Sequence, residues 1–375
     1  MADNSTLKQE KDTASEGSLS KYGGLDVKLT EEARNFLQLM KAKPHIYGKM
    51  PVTAIRESLG ADAFDSLTLD RIHRKLYKGY TEWPTQWEKL ISSTQTVNDF
   101  RTYYGVITGG MDRLPQVDEK MPYLEGDFSD DTISWSPKKY GKLFGYSFEA
   151  QTYDDMRLLD QAASKMGQAA ARTYEFFFFR TLLDANPTSY DGSTACFGTV
   201  GTTDSTVFFN TMTAGGLTTA TIETAVEKML AQTALDSSVT YTDENYVPVM
   251  YIPKYVLVHT SQLMNIKAIL GSSLVAEDAN NRINPIENGD PIQNLQIIHT
   301  PYITSTDWYL MADPAMGANT MEAGLWNGSA GPEFFYEKPD TGHHFGFDEN
   351  RMKIRQIFGG SLLDPKSWIL GTTST

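Results

Sequence analysis

The segment that most constrains this chain runs from Thr152 to Pro187, TYDDMRLLDQAASKMGQAAARTYEFFFFRTLLDANP. Before its final residue it holds no proline, and it has a single glycine, Gly167. It reads as one uninterrupted helix of about 30 residues, ~45 Å long at about 1.5 Å per residue, where ordinary helices run about three turns. Asp154 and Asp155 sit at its start, where carboxylates meet the positive end of the helix dipole. Asn186-Pro187 stops it, because proline cannot continue a helix and disfavours helix at the residue before it. Met156, Leu159, Ala163, Met166, Ala170 and Phe177 recur at spacings of three, four or seven and draw one apolar seam. Phe176 to Phe179 widen that seam, so other elements must cover the C-terminal end. An extended stretch, Lys139 to Phe148, feeds the helix. A long helix behind a long extended arm is an uncommon design for an enzyme and suits a subunit that reaches its neighbours.

The rest of the chain is globular in composition. Its 375 residues suggest two or three domains. An apolar fraction of 40%, with 18 Phe, 19 Tyr and 6 Trp, fills a real core. Cys196 is the only cysteine, which excludes an intrachain disulfide or a cysteine-based metal cluster and points to a reducing compartment. There is no apolar run long enough to span a membrane, and the N-terminus is polar, unlike a secretory signal. The net charge of −14 is uneven: residues 1–100 are neutral, and the deficit belongs to the body. An acidic body argues against direct nucleic-acid reading, though not against a protein that surrounds DNA.

Read along its length, residues 1–28 are polar and loosely tethered, and 29–41 form a short amphipathic helix with Phe36, Leu37 and Met40 on one face. Another helix is predicted over 62–79, followed by a cluster around Trp83, Pro84 and Trp87. The first hundred residues thus make an arm with scattered anchors. Residues 94–118 alternate as a strand does, broken at Gly109-Gly110. Two extended pieces, Tyr123 to Trp135 and Lys139 to Phe148, flank Ser136-Pro137 and are expected to pair as a hairpin. With Glu119, Glu125, Asp127, Asp130, Asp131, Lys138, Lys139 and Lys142, that hairpin is too charged to be buried and should project. After the long helix, 221–235 read as a second amphipathic helix with Ile222, Val226, Met229 and Leu230 inward. From 244 strands and helices alternate: Val247 to Val258, a helix over Ser261 to Leu270 capped by Thr260 or Ser261, then strands at Leu295 to Thr300, Trp308 to Met311 and Thr320 to Leu325. Asn288-Gly289 and Asn327-Gly328 signal turns. Met352 to Phe358 is a closing strand, expected to return to the sheet that packs on the long helix. Gly359-Gly360 reads as a turn or bulge.

Chemistry-bearing residues are sparse. His343-His344 with Asp348 and Glu349 is the best metal-like cluster, but adjacent histidines on a strand point to opposite faces, and a loop touching a neighbour explains them better. His259 and His299 each end a β run and read as packing residues. Cys196 has no histidine near it in sequence. Helix-start geometry explains Asp154-Asp155 without catalysis. No GxGxxG, Walker loop, GxSxG or HExxH occurs. No catalytic, cofactor-binding or metal site is expected.

The order of parts carries a resemblance. A polar arm precedes an extended hairpin with Lys139-Tyr140-Gly141-Lys142-Leu143-Phe144 and Ser147-Phe148-Glu149. The long helix follows, with Gly167-Gln168-Ala169-Ala170-Ala171-Arg172 at its middle, then Leu182-Leu183-Asp184-Ala185-Asn186 and Asp191-Gly192. A compact α/β unit and a closing strand with Asp364-Pro365 complete it. Over roughly residues 94–370 this resembles the major capsid protein of tailed bacteriophages, the Hong Kong 97-type fold.

The resemblance implies an α+β fold with an N-terminal arm over 1–100 and an extended E-loop over 119–150. It implies a peripheral domain over 101–118 and 151–243 with a spine helix over 152–186, an axial domain over 244–335, and a C-terminal return over 336–375. It implies a non-enzymatic subunit that self-assembles, as pentamers and hexamers, into an icosahedral head enclosing double-stranded DNA without reading its sequence, and no membrane contact. A scaffolding protein, a portal and decoration proteins are the implied partners, the virion the implied location, and the bacterial cytoplasm the implied place of assembly. The chain begins at Met1, which reads as an uncleaved chain scaffolded by a separate protein. Lys120, Lys138, Lys139 and Lys142 lie in the loop that some relatives crosslink, but lysines are ordinary on exposed hairpins and no crosslink is expected. An encapsulin-type bacterial nanocompartment shell protein is the alternative, and a hydrolase using Cys196 or a histidine is a second.

Overall fold

A computed structural model of the chain describes residues 61–108, 116–117, 119, 130–147, 157–190, 192, 194–198, 210–212, 216–232, 251–274, 282–288, 295–337, 346–347 and 349–372. The helices are α1 (Ala61–Glu82), α2 (Arg157–Glu175), α3 (Thr219–Leu230), α4 (Leu263–Leu270) and α5 (Pro285–Asn288). The strands are β1 (Ile91–Val97), β2 (Tyr103–Thr108), β3 (Asp130–Trp135), β4 (Lys138–Ser147), β5 (Thr211–Met212) and β6 (Pro253–His259). They continue with β7 (Gln296–Thr300), β8 (Asp307–Ala312), β9 (Met321–Trp326), β10 (Glu333–Tyr336), β11 (Glu349–Leu362) and β12 (Trp368–Thr372). Helix and sheet are thus mixed. Two compact units divide the chain: the first comprises Met1–Pro84, Lys139–Thr173 and Ser329–Ile357, the second Thr85–Lys138, Tyr174–Gly328 and Phe358–Thr375.

In the first unit α1 packs on α2. Ile72 and Leu76 meet Ala163, Met166 and Ala170, with Tyr146, Phe334, Met352 and Ile354 completing the cluster. The two helices touch at backbone distance: a Cβ on Gly167 would stand 2.1 Å from the Leu76 carbonyl oxygen, and one on Gly79 2.2 Å from that of Ser164. Tyr77 and Tyr80 donate hydroxyl hydrogen bonds to the carbonyls of Pro332 and Ala330, each at 2.9 Å. β10 pairs antiparallel with the first half of β11, Phe334 opposite Ile354, and β4 pairs with β11 as well.

In the second unit, five strands form a sheet in the order β5-β12-β8-β6-β7. β12 and β6 run antiparallel to β8, and β7 runs parallel to β6. Ile222, Val226 and Met229 of α3 share a core with Val256, Val258, Ile266, Trp308, Leu310 and Ile369. α3 begins on a reciprocal cap, Thr218 with Thr221, which satisfies donors that a helix start leaves open. Besides this sheet, β1 runs parallel to β9, the second half of β11 pairs antiparallel with β9, and β2 and β3 form a two-stranded ribbon.

The long helix is present, with a change of type. From Arg157 to Glu175 it is α, and from Phe176 to Asp184 it winds as a π-helix. The wider turn rotates less per residue, so three consecutive phenylalanines span a narrower arc and all three can point inward. Phe177, Phe178, Phe179 and Leu183 are buried while Phe176 is half exposed. The cover is as expected from the closing strand: Phe358 of β11 lies 4.2 Å from Tyr174 and 5.2 Å from Phe177, ring to ring, and Trp87 stacks on Tyr174 and Phe178. Asn186 takes a left-handed φ of 49° at the stop, and its side chain clasps the backbone N–H and C=O of Phe197, both at 2.8 Å. Asp154, Asp155 and Met156, like the 29–41 helix, lie outside the described residues, and the Leu159 side chain is likewise not described.

Four expectations need correction. The hairpin of 123–135 with 139–148 does not form: β3 pairs with β2, Trp135 opposite Tyr103, while β4 pairs with β11. Alternation marks both pieces as strands without specifying a mate, and the nearer pairing rested on proximity alone. Nor are both extended pieces wholly projecting, since Trp135 and Tyr146 are buried. Gly359-Gly360 is neither turn nor bulge but lies inside β11, where a Cβ on Gly359 would meet Trp135 at 2.8 Å and one on Gly360 the Glu322 carbonyl oxygen at 2.3 Å. The helix after β6 is entered through a short 3-10 turn, Thr260–Gln262, capped by His259, whose Nδ1 accepts from the Ser261 N–H at 3.2 Å, while α4 itself has no side-chain cap.

Candidate interaction surface

The sequence-level chemistry does not converge. Glu349 opens β11 and pairs with Arg351 at 2.9 Å, while His343, His344 and Asp348 lie outside the described residues. His259 is spent on its cap, and exposed His299 meets Gln86 Nε2 at 3.2 Å through Nδ1. Cys196 is fully buried, and its carbonyl accepts from Asn210 Nδ2 at 2.7 Å; a hydrolase reading therefore loses its nucleophile, since a sealed thiol meets no substrate. Among the described residues no three His, Cys, Asp or Glu are grouped to hold a metal ion, and no helix is long and apolar enough to cross a membrane.

What sequence reasoning missed is a set of buried carboxylates in the second unit. Glu322 on β9 accepts from Trp135 Nε1 at 2.9 Å, which ties the ribbon residue Trp135 into the glycine niche of Gly324 and Gly359. Glu175 accepts from the backbone N–H groups of Gln86 and Trp87. Asp364 accepts from the Tyr251 hydroxyl at 2.7 Å and the Lys366 N–H at 2.9 Å. Burial pushes all three acids above the usual carboxylate range, against the lowering pull of those donors. These groups fix strands and loops through their hydrogen bonds.

The outward surfaces are more telling. On the ribbon, Tyr104 (59%) and Val106 (53%) are exposed on β2, alternating with buried Tyr103 and Ile107 as a period of two requires. Exposed Phe100 rests 5.5 Å from Trp326. In the first unit an open groove of about 620 Å³ runs between β4, α2 and β11. Its floor includes Phe144, Met166, Ala169 and Ile354, and its rim carries Lys142, Lys165, Arg172 and Arg355. α2 supplies both sides because 163, 167 and 170 face α1 while 162, 165, 169 and 173 lie on the adjacent stripe. Arg355 is answered by Glu333 at 2.6 Å, and Arg172 stacks over Trp83 at 5.0 Å. Such surfaces can bind another chain.

Comparison with known proteins points the same way. A family model described as phage capsid protein matches residues 130–370. No curated protein matches the chain. Among solved structures, one from Gordonia phage Cozz aligns at 13% identity over 78% of this chain and 90% of that one, with a TM-score of 0.46. The capsid of cyanophage P-SCSP1u aligns at 14% identity, over 78% and 89%, with a TM-score of 0.47. A virus-like particle from Pyrococcus furiosus aligns at 10% identity, over 80% and 98%, with a TM-score of 0.42.

Proposed function

Because the chain belongs to the phage capsid protein family, whose model spans more than half of its length, and is thus a major capsid protein that forms a bacteriophage shell, we propose that it follows the Hong Kong 97-type plan. The spine helix is α2 with its π-helical continuation. The first unit, with the spine, serves as the peripheral domain. The sheet β5-β12-β8-β6-β7 with α3 and α4 serves as the axial domain, placed at five-fold and six-fold vertices. The pairing of β2 with β3 moves the E-loop to the ribbon and its connecting segment, residues 103–135. Residues before α1 act as the N-terminal arm.

The match over 130–370 carries this reading, and the surfaces support it. A solitary subunit gains nothing from the exposed apolar side chains on β2, whereas a shell covers such faces with neighbours. Many modest contacts repeated around a closed shell add through multivalency. The acidic body keeps packaged DNA from adhering to the wall, with a scaffolding protein, portal and decoration proteins as partners and the host cytoplasm as the place of assembly. Expressing the full chain, with a scaffold if required, and imaging the product tests this directly: closed shells with five-fold vertices are expected. A chain that stays monomeric under every assembly condition sinks it.

A further inference from the structure

The groove between β4, α2 and β11 carries chemistry that shell formation does not use. From it we propose that the groove binds a single-chain anionic amphiphile, one apolar chain ending in an anionic head. Its lining holds four cations, Lys142, Lys165, Arg172 and Arg355, and no carboxylate, on a chain whose net charge is −14. Two of the four are already engaged, Arg355 with Glu333 at 2.6 Å and Arg172 over the Trp83 ring. Lys142 and Lys165 are exposed, and among the described residues neither forms an ion pair. Lys165 reaches the Gln168 amide oxygen at 3.4 Å.

A third polar group asks for the same ligand. Gln356 follows Ile354 by two positions on β11, so it shares the face that Ile354 packs against Met166 and Ala170 of α2. It lines the groove, is only 4% exposed, and its Nε2 finds no hydrogen-bond partner. A buried donor left open is costly, and an acceptor on a bound head relieves it. Beneath the cations the floor is apolar, with Phe144, Met166 and Ile354. The volume of about 620 Å³ falls inside the ~300–1,000 Å³ of small-molecule sites. A free inorganic anion leaves that floor bare to water. A neutral hydrocarbon leaves the lysines and Gln356 unanswered, and a DNA backbone has nothing to set against the floor. An amphiphile meets both halves, burying its chain and pairing its head. The whole groove belongs to the first unit, so a single copy of the chain holds the ligand.

Titration calorimetry of the full chain with dodecanoate, kept below its micelle concentration, tests this. One dodecanoate per chain is expected, bound about tenfold or more tighter than dodecanol. Lys142→Glu with Lys165→Glu, verified as folded by circular dichroism, should lose that tenfold and leave dodecanol binding unchanged. Gln356→Leu should weaken dodecanoate and not dodecanol. Dodecanoate should also slow acetylation of Lys142 and Lys165, read by mass spectrometry, and spare Lys353, which lies over the Phe335 ring. Equal affinity for dodecanol, a lysine variant that binds like the parent, or uptake of many molecules per chain overturns the proposal. Binding confined to assembled material overturns it too, because the groove then belongs to contacts between copies. So does displacement of dodecanoate by a short DNA duplex. Vesicles of anionic phospholipid separate a free ligand from a membrane-held one: a chain that binds vesicles and not dodecanoate has a membrane-facing surface instead of this site. No step of the test needs shells, so a failure of assembly strikes the shell-subunit reading and leaves the groove to be decided by binding alone.

Discussion

At the residue scale, two positions carry the most argument. Gly167 is the lone glycine in a segment otherwise composed for helix, and sequence shows it only as a cost of about 1 kcal/mol relative to alanine. Its reason lies on another element, the backbone of Leu76 at 2.1 Å from where a Cβ would stand. Gly167→Val should push α1 off α2 and cost about 2–3 kcal/mol, read as a lowered denaturation midpoint. Gly192→Ala is the control: it has positive φ and nothing within 4 Å, so it should cost only about 1 kcal/mol. Glu322 makes the second case. Burial raises its pKa in the folded state, so the folded protein binds the proton more tightly than the unfolded chain. Its contribution to stability is then present below the ordinary carboxylate range and lost as pH rises through the folded value. The melting temperature should accordingly gain from this group as pH falls from neutral through the raised folded value toward the ordinary carboxylate range. Glu322→Gln keeps an acceptor for Trp135 and removes the titration; a pH slope identical to the parent's would assign the effect elsewhere, with Glu175 and Asp364 the next groups to neutralise.

At the scale of elements, what was legible is what periodicity and punctuation encode. The α2 seam from Ala163 to Phe177, the α3 face, the strands β7, β8 and β9, and the stops at Asn186 and Asn327-Gly328 all stand where sequence places them, because each depends on neighbours a few residues away. What was illegible depends on partners far along the chain. The pairing of β3 was misread because alternation identifies a strand but not its mate. Four consecutive phenylalanines announced a covered helix end, yet the π-wound turn packs against Trp87 and Phe358, residues distant in sequence. The cap on the α4 approach went to His259 because its ring reaches Ser261 N–H from outside the helix, a job that hydroxyls usually do. The candidate surface was half legible: its cations are plain in the sequence, whereas the groove needs α2, β4 and β11 side by side.

At the scale of the whole molecule, the ribbon separates folding from assembly. Its anchor is internal to the second unit: Trp135 stacks on Tyr103 at 5.3 Å, donates to Glu322, and fills the space left by Gly324 and Gly359. The register of the ribbon ends at Thr108 opposite Asp130, and the chain between them connects the two strands. Long surface connections add little to folding free energy, since loop-closure entropy grows slowly with length. Replacing residues 109–129 by a short Asn-Gly turn should therefore leave the melting temperature and circular dichroism nearly unchanged, because the register from Thr108↔Asp130 to Tyr103↔Trp135 suits a tight hairpin turn. The same chain should form no shells, measured by sedimentation and negative-stain imaging at a concentration where the parent assembles. A loss of folding would place the segment in the core and refute the ribbon as an outward element. Unchanged shells would leave contacts between copies to the exposed residues of β2 and the axial sheet alone.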